Sequence, residues 1–169
     1  MVRDLIDQVN KAVDAKMYRL ALFGALALPS ICGALESPDG LDNKDRYISW
    51  FDKWVGPRYA SPDGTPDFSG PQCYSFRCAM LHEGRAVHTG LGYSRILFLQ
   101  SDKAVFRVAI LGDALQLDLA TFCREMTAAA ERWLLTVERT KLFTTNYDSS
   151  FRLHPRGFPP YIVGAPVLS

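Results

Sequence analysis

The run Leu20-Ala-Leu-Phe-Gly-Ala-Leu-Ala-Leu-Pro-Ser-Ile-Cys-Gly-Ala-Leu35 is the most apolar in the chain, and its reading sets the architecture. It holds sixteen residues and contains Pro29, whereas a bilayer span needs about 20 apolar residues in one helix. The run therefore reads as a helix buried on most sides, the centre of a bundle. Pro29 predicts a kink or a junction between two helices. Gly24 and Gly33 allow neighbouring backbones to approach closely. Glu36 closes the run, either as a helix-end surface carboxylate or as a partner for an arginine in a site. Ser37-Pro-Asp-Gly40 reads as a turn.

Upstream, residues 2–19 place Leu5, Val9, Ala12, Val13 and Met17 on one side and charged residues elsewhere. That spacing predicts a long amphipathic helix, able to run on into the apolar segment. Downstream, residues 42–55 predict another helix, with Asp42 as N-cap and Asp45 in the first turn. Its rings Tyr47, Trp50, Phe51 and Trp54 recur at three- and four-residue intervals. Such a stripe fills a core, although rings can also stack bases. Lys44, Arg46, Lys53 and Arg58 form a modest basic fringe. From Gly56 to Pro71 the prolines and glycines predict a long loop without a regular element.

That loop leads into Cys73-Tyr-Ser-Phe-Arg77-Cys-Ala-Met-Leu-His82-Glu-Gly84, a compact helix stopped by a glycine. Cys73, Phe76 and Met80 mark its buried face. Arg77 and His82 stand off that face, separated by about 7.5 Å of rise and about 140° of rotation on an ideal helix. After Gly84 the character changes. Residues 95–100 and 104–111 are short apolar runs rich in β-favouring residues, and Ser101-Asp-Lys103 predicts a hairpin between them. Ala114–Leu119 fits a third strand, giving a small antiparallel sheet appended to the helices. Residues 120–140 predict a helix with Phe122, Met126, Ala129, Trp133 and Val137 inward. The remainder reads as a tail with little regular structure.

One domain covers 1–169: a helical core over 2–84 and 120–142, a β insertion over 94–119 and an irregular tail over 143–169. The fold class expected is mainly α, an antiparallel helical bundle with a small sheet. With 48% hydrophobic and 22% charged residues the chain can bury a sizeable core. Nineteen basic and eighteen acidic residues nearly cancel, which excludes the bulk positive field of an architectural nucleic-acid binder. Cysteines 32, 73, 78 and 123 follow no disulfide framework, and no secretory signal is visible at the N-terminus. Reduced thiols and a cytoplasmic location are the expectation.

The segment Tyr74-Ser-Phe-Arg77-Cys-Ala-Met-Leu-His82-Glu-Gly resembles the signature of the HEPN superfamily (higher eukaryotes and prokaryotes nucleotide-binding), an arginine followed four to six residues later by histidine. Leu28-Pro-Ser-Ile-Cys-Gly-Ala-Leu-Glu36, Arg46-Tyr-x-x-Trp50 and Phe122-Cys-x-x-Met126 look like a bacterial family of HEPN-like proteins. The resemblance implies a HEPN-like bundle and a metal-independent endoribonuclease of the toxin–antitoxin or phage-defence kind, needing no cofactor. It also implies a homodimer, an RNA substrate and a cognate antitoxin; neither DNA nor a membrane is expected as partner. Arg77 would clamp phosphoryl oxygens and His82 would transfer protons. Two copies of the Arg77/His82 helix would line one cleft and yield a 2′,3′-cyclic phosphate and a 5′-hydroxyl end. Tyr74 and Ser75 would orient the substrate, with Cys78 and Glu36 beside the site.

Active members often carry Asn, Asp or another polar residue after the motif arginine, where this chain has Cys78. The alternative is a non-enzymatic interaction module, or a nucleotide- or RNA-binding one, with a degenerate site. The residues alone offer two other chemistries. A zinc site from Cys73, Cys78, His82 and His88 has suitable ligand types but lacks the usual Cys-x2-Cys spacing, so no metal is expected. A Cys78–His82 nucleophile pair has i, i+4 spacing but no visible orienting acid or oxyanion hole.

Overall fold

The computed structural model describes residues 1–65, 67–85, 92–100 and 107–169. It is mainly helical, with a small sheet at one side. Helix α1 is Val2–Asp14 and buries Val2, Ile6, Val9 and Val13. It does not run on into the apolar segment. Lys16 takes a left-handed φ of 56°, and the Met17 N–H turns back to the Ala12 carbonyl. The chain reverses there, and α2, Tyr18–Leu35, packs along α1. Gly24 is the close-approach point, since a methyl group there would lie 2.6 Å from Val9 Cγ2.

Helix α2 is the expected central element. Ala21, Ala25, Leu26, Leu28 and Cys32 are fully buried, against α1 on one side and α3 and α5 on others. The helix runs through Pro29 without ending there. By length and hydropathy it would also pass for a bilayer span, yet half its faces are spent on packing against neighbouring helices.

Helix α3, Lys44–Trp54, starts one residue later than the Asp42 cap predicts. Asn43 is extended (φ −151°) and its Oδ1 accepts the Arg46 N–H at 2.9 Å, so Asn43 is the cap. The ring stripe is core: Tyr47, Trp50 and Phe51 are buried and Trp54 is half-buried. Among its described residues the proline-rich loop holds a 3-10 segment, Gly56–Tyr59, opened by Pro57. Tyr59 and Phe68 from this loop are fully buried and stack edge-on with each other and with Phe122. The loop thus supplies core rings.

Helix α4 is Gly70–Glu83. The three-stranded sheet comprises β1 (Arg95–Leu99), β2 (Val108–Leu111) and β3 (Ala114–Asp118), in the order β1-β3-β2. The β2–β3 pair is antiparallel, turning at Gly112 with φ 61°. Among the described residues β1 and β2 do not pair with each other as the predicted hairpin requires; β3 sits between them and pairs in parallel with β1. Burial explains the choice: Ala114, Leu115 and Leu117 of β3 are buried, whereas Ile110 and Leu111 of β2 are exposed. Residues 101–103, the predicted connection, and 104–106 of the second run lie outside the described residues.

Helix α5, Leu119–Val137, is capped by Asp118, whose Oδ1 accepts the Thr121 N–H at 2.7 Å. It buries the predicted side, from Phe122 through Met126, Ala129 and Trp133 to Val137. The tail is more ordered than its composition predicts. Thr140 caps a helix α6, Lys141–Asp148, whose Phe143 enters the core. The Asn146 amide nitrogen donates to the carbonyls of Ala34, Leu35 and Ser37 and so binds α6 to the end of α2. Four short strands follow, β4 (Leu153–His154), β5 (Gly157–Phe158), β6 (Ile162–Val163) and β7 (Val167–Leu168), pairing as β4–β7 and β5–β6.

Candidate functional site

Helix α4 is fixed at both ends. At its start the Ser69 N–H donates to Gln72 Oε1 at 2.8 Å, and the Gly70 N–H donates to Asp52 Oδ1 of α3 at 2.6 Å. At its end Gly84 is left-handed (φ 65°), which returns the Arg85 N–H to the Ala79 carbonyl. Between these anchors Cys73, Phe76 and Ala79 are buried. Phe76 packs on Phe98 of β1, and Tyr74 sits edge-on to Tyr47 of α3. The helix is therefore held by α3 on one side and by the sheet on the other.

Its outer face carries the predicted residues. Arg77 is half-buried and His82 exposed. Ideal geometry separates their Cα atoms by more than a turn, but the arginine side chain spans the gap: Arg77 Nη1 lies 3.4 Å from His82 Nε2. A guanidinium only donates, so His82 Nε2 can only accept in this contact. Arg77 Nη1 also lies 3.8 Å from Cys78 Sγ, and Arg77 Nε is buried without a hydrogen-bond partner. Tyr74, Ser75 and Cys78 are half-buried along the same helix. Burial, and then a hydrogen bond with Cys78 one turn on, push the Tyr74 phenol above its ordinary value.

Asp42 is a site residue that sequence reasoning assigned elsewhere. Relieved of capping by Asn43, its carboxylate lies against the α2 backbone, where a methyl on Gly33 would meet Asp42 Oδ1 at 3.2 Å. Burial raises its pKa, an effect opposed by the nearby Arg77 and Arg46 guanidinium groups. Asp42 Oδ1 and Ser30 Oγ are, like Arg77 Nε, buried without a hydrogen-bond partner. The available signal was the adjacent pair Asp42-Asn43: one helix start takes one cap, so the other side chain is free for another task.

Glu36 lies elsewhere. Its Oε2 accepts the Trp133 indole N–H at 2.7 Å, tying α2 to α5, and the carboxylate borders a shallow cleft with Arg46, Lys53 and Trp54. The basic fringe is partly engaged, since Arg46 pairs with Asp39 and Lys53 lies 5.1 Å over the Trp54 ring. Of the zinc candidates, Cys73 faces inward with Sγ 3.3 Å from the Tyr47 hydroxyl, and burial pushes its thiol up to about 12. Cys78 and His82 face outward, and His88 lies outside the described residues. Among the described residues no three His, Cys, Asp or Glu side chains gather as a metal-binding group. Comparison of the chain with family models, curated proteins and solved structures gives no match.

Proposed function

We propose that the outer face of α4 binds an RNA phosphodiester and that the chain acts as a metal-independent endoribonuclease. The observation that carries this reading is the contact of Arg77 Nη1 with His82 Nε2 at 3.4 Å. One side chain offers fixed positive charge and several N–H donors, and the other offers a lone pair at the same point. A phosphoryl oxygen taken up by the guanidinium would lie beside the imidazole. His82 Nε2 would accept the 2′-hydroxyl proton as the 2′-oxygen attacks phosphorus. Arg77 would hold the developing charge, which needs donors aimed at the transition state. One histidine cannot also protonate the departing 5′-oxygen in the same step, so the partner subunit's His82 would do so in a homodimer. The products would be a 2′,3′-cyclic phosphate and a 5′-hydroxyl. A cognate antitoxin would then cover this exposed face.

A specific observation favours a second reading, an RNA- or nucleotide-binding module without turnover. The neighbour of the arginine is Cys78, whose sulfur is a weak acceptor and holds a guanidinium less firmly than an amide or carboxylate.

The test uses the purified chain, single-stranded RNA and EDTA. Cleavage is expected, with His82→Ala abolishing it while RNA affinity is kept. Arg77→Ala should weaken both, since it removes a phosphate contact as well as transition-state charge. Cleavage that survives His82→Ala would overturn the mechanism. Binding without cleavage would assign the second reading, and gained cleavage in Cys78→Asn would then mark a decayed nuclease. Absence of RNA binding would overturn both.

A further inference from the structure

Away from α4, a cavity of about 980 Å³ lies between the α1–α2 layer and the C-terminal strands. Leu5 and Ile31 form its floor, Leu41 a side, and Phe151, Leu153 and Leu168 its roof. The roof and side are unusually wet for apolar groups: Leu41 is 64% exposed, Phe151 66%, Leu153 50% and Leu168 59%. Hydrogen bonds within the chain hold the walls in place. The three hydrogen bonds from Asn146 fix the end of α2, and paired backbone bonds between Arg152 and Ser169 fix the roof.

Charge on the lining decides the class of occupant. The Met1 ammonium lies 3.1 Å from Asp4 Oδ2 and donates to the Tyr147 hydroxyl at 2.9 Å. Arg152 pairs with Asp148 at 3.4 Å, and Asp39 pairs with Arg46. Among the described residues, each charged group bordering the cavity thus has its counter-charge within the chain. A charged ligand entering here would give up water with no free opposite charge to replace it. An uncharged apolar body would instead cover the exposed leucines and Phe151. The volume falls at the upper end of the range for small-molecule sites, about 300–1,000 Å³.

We infer that this cavity binds an uncharged, largely apolar small molecule. The probe is N-phenyl-1-naphthylamine, a neutral dye that fluoresces in apolar surroundings, titrated into the full chain and displaced by twelve-carbon ligands below their aggregation concentrations. Saturable one-to-one binding is expected, with dodecan-1-ol displacing the dye at least tenfold better than dodecanoate or dodecylammonium. Ala34→Phe, which fills space, and Phe151→Asp, which adds an unpaired charge at an exposed position, should each weaken binding at least tenfold with circular dichroism unchanged. No saturable dye binding by the unmodified chain overturns the inference. So does unchanged affinity in both variants, or a preference for either charged ligand. Dimerisation lost in Phe151→Asp, without dye binding, assigns the surface to a second copy and equally overturns it.

Discussion

Replacing Gly70 by alanine tests how α4 is held. The added methyl would lie 2.7 Å from the Ile48 carbonyl oxygen and 2.9 Å from Asp52 Oδ1. The first is backbone inside α3 and cannot turn aside, so the start of α4 must move. That movement lengthens the 2.6 Å bond from the Gly70 N–H to Asp52. Overpacking against fixed atoms costs about 1–3 kcal/mol. The weakened hydrogen bond adds about 1 kcal/mol, at the low end for a charged acceptor because Asp52 is exposed. Alanine recovers about 0.4–1 kcal/mol by restricting the unfolded chain. The expected net loss is about 2 kcal/mol, a fall in Tm of about 4–8 °C for a chain of this size. Urea unfolding followed by far-ultraviolet circular dichroism measures it. In an Asp52→Ala background the penalty should shrink but persist, because the Ile48 contact remains. Stability equal to or above that of the unmodified chain would refute the packing argument.

Asn43→Ala should cost about 1 kcal/mol through loss of the α3 cap, measured by chemical denaturation. Asp42→Asn should instead raise Tm at neutral pH. Burial raises the folded-state pKa of Asp42, so protonation favours the fold and that contribution is lost as pH rises; the difference between variant and parent should close on acidification toward the ordinary value of 3.8. Glu36→Ala should destabilise by about 1–2 kcal/mol, because it strips the acceptor from a buried indole N–H, while Glu36→Gln should restore most of the loss in the same assay. Arg46→Met should return the Asp39 carboxyl, now held well below its usual range by Arg46, toward that range in a carboxyl-carbon NMR titration. Stability from that pairing is present above the ordinary Asp pKa and lost as pH falls through the depressed one, so Arg46→Met and parent should converge in acid.

The bundle was legible because its signals are local. The apolar run of α2, the ring stripe of α3 and the inward positions of α5 each need only one periodicity. The break after α1 was not legible: Ala15-Lys16-Met17 contains neither glycine nor proline, yet Lys16 takes the left-handed conformation, and the Lys16 and Met17 N–H groups return to the Val13 and Ala12 carbonyls to close the helix. Helix α6 was hidden by Thr and Asn residues, which read as loop until Thr140 is seen to cap and Asn146 to bond with α2. At the candidate site, residue spacing located Arg77 and His82 on one helix but described only their backbone separation. The length of an arginine side chain closes that gap, and no periodicity reports it. Asp42 was misassigned because two adjacent residues compete for one cap, and chain geometry rather than residue type picks the winner.

The strand order β1-β3-β2 also bears on how the chain assembles. Two runs adjacent in sequence end up apart, with a later run between them. During synthesis the arms emerge before their filler. The features that suggest a hairpin to a reader, alternating β-favouring residues around a short polar turn, suggest it equally to the nascent chain. A provisional pairing of the arms would satisfy their backbone groups, then have to open before Leu115 and Leu117 could reach the core. Local preference and final topology are in conflict at this one place. The sheet that braces α4 through Phe98 would then be the last part of the molecule to settle, and the outer face of α4 would mature with it.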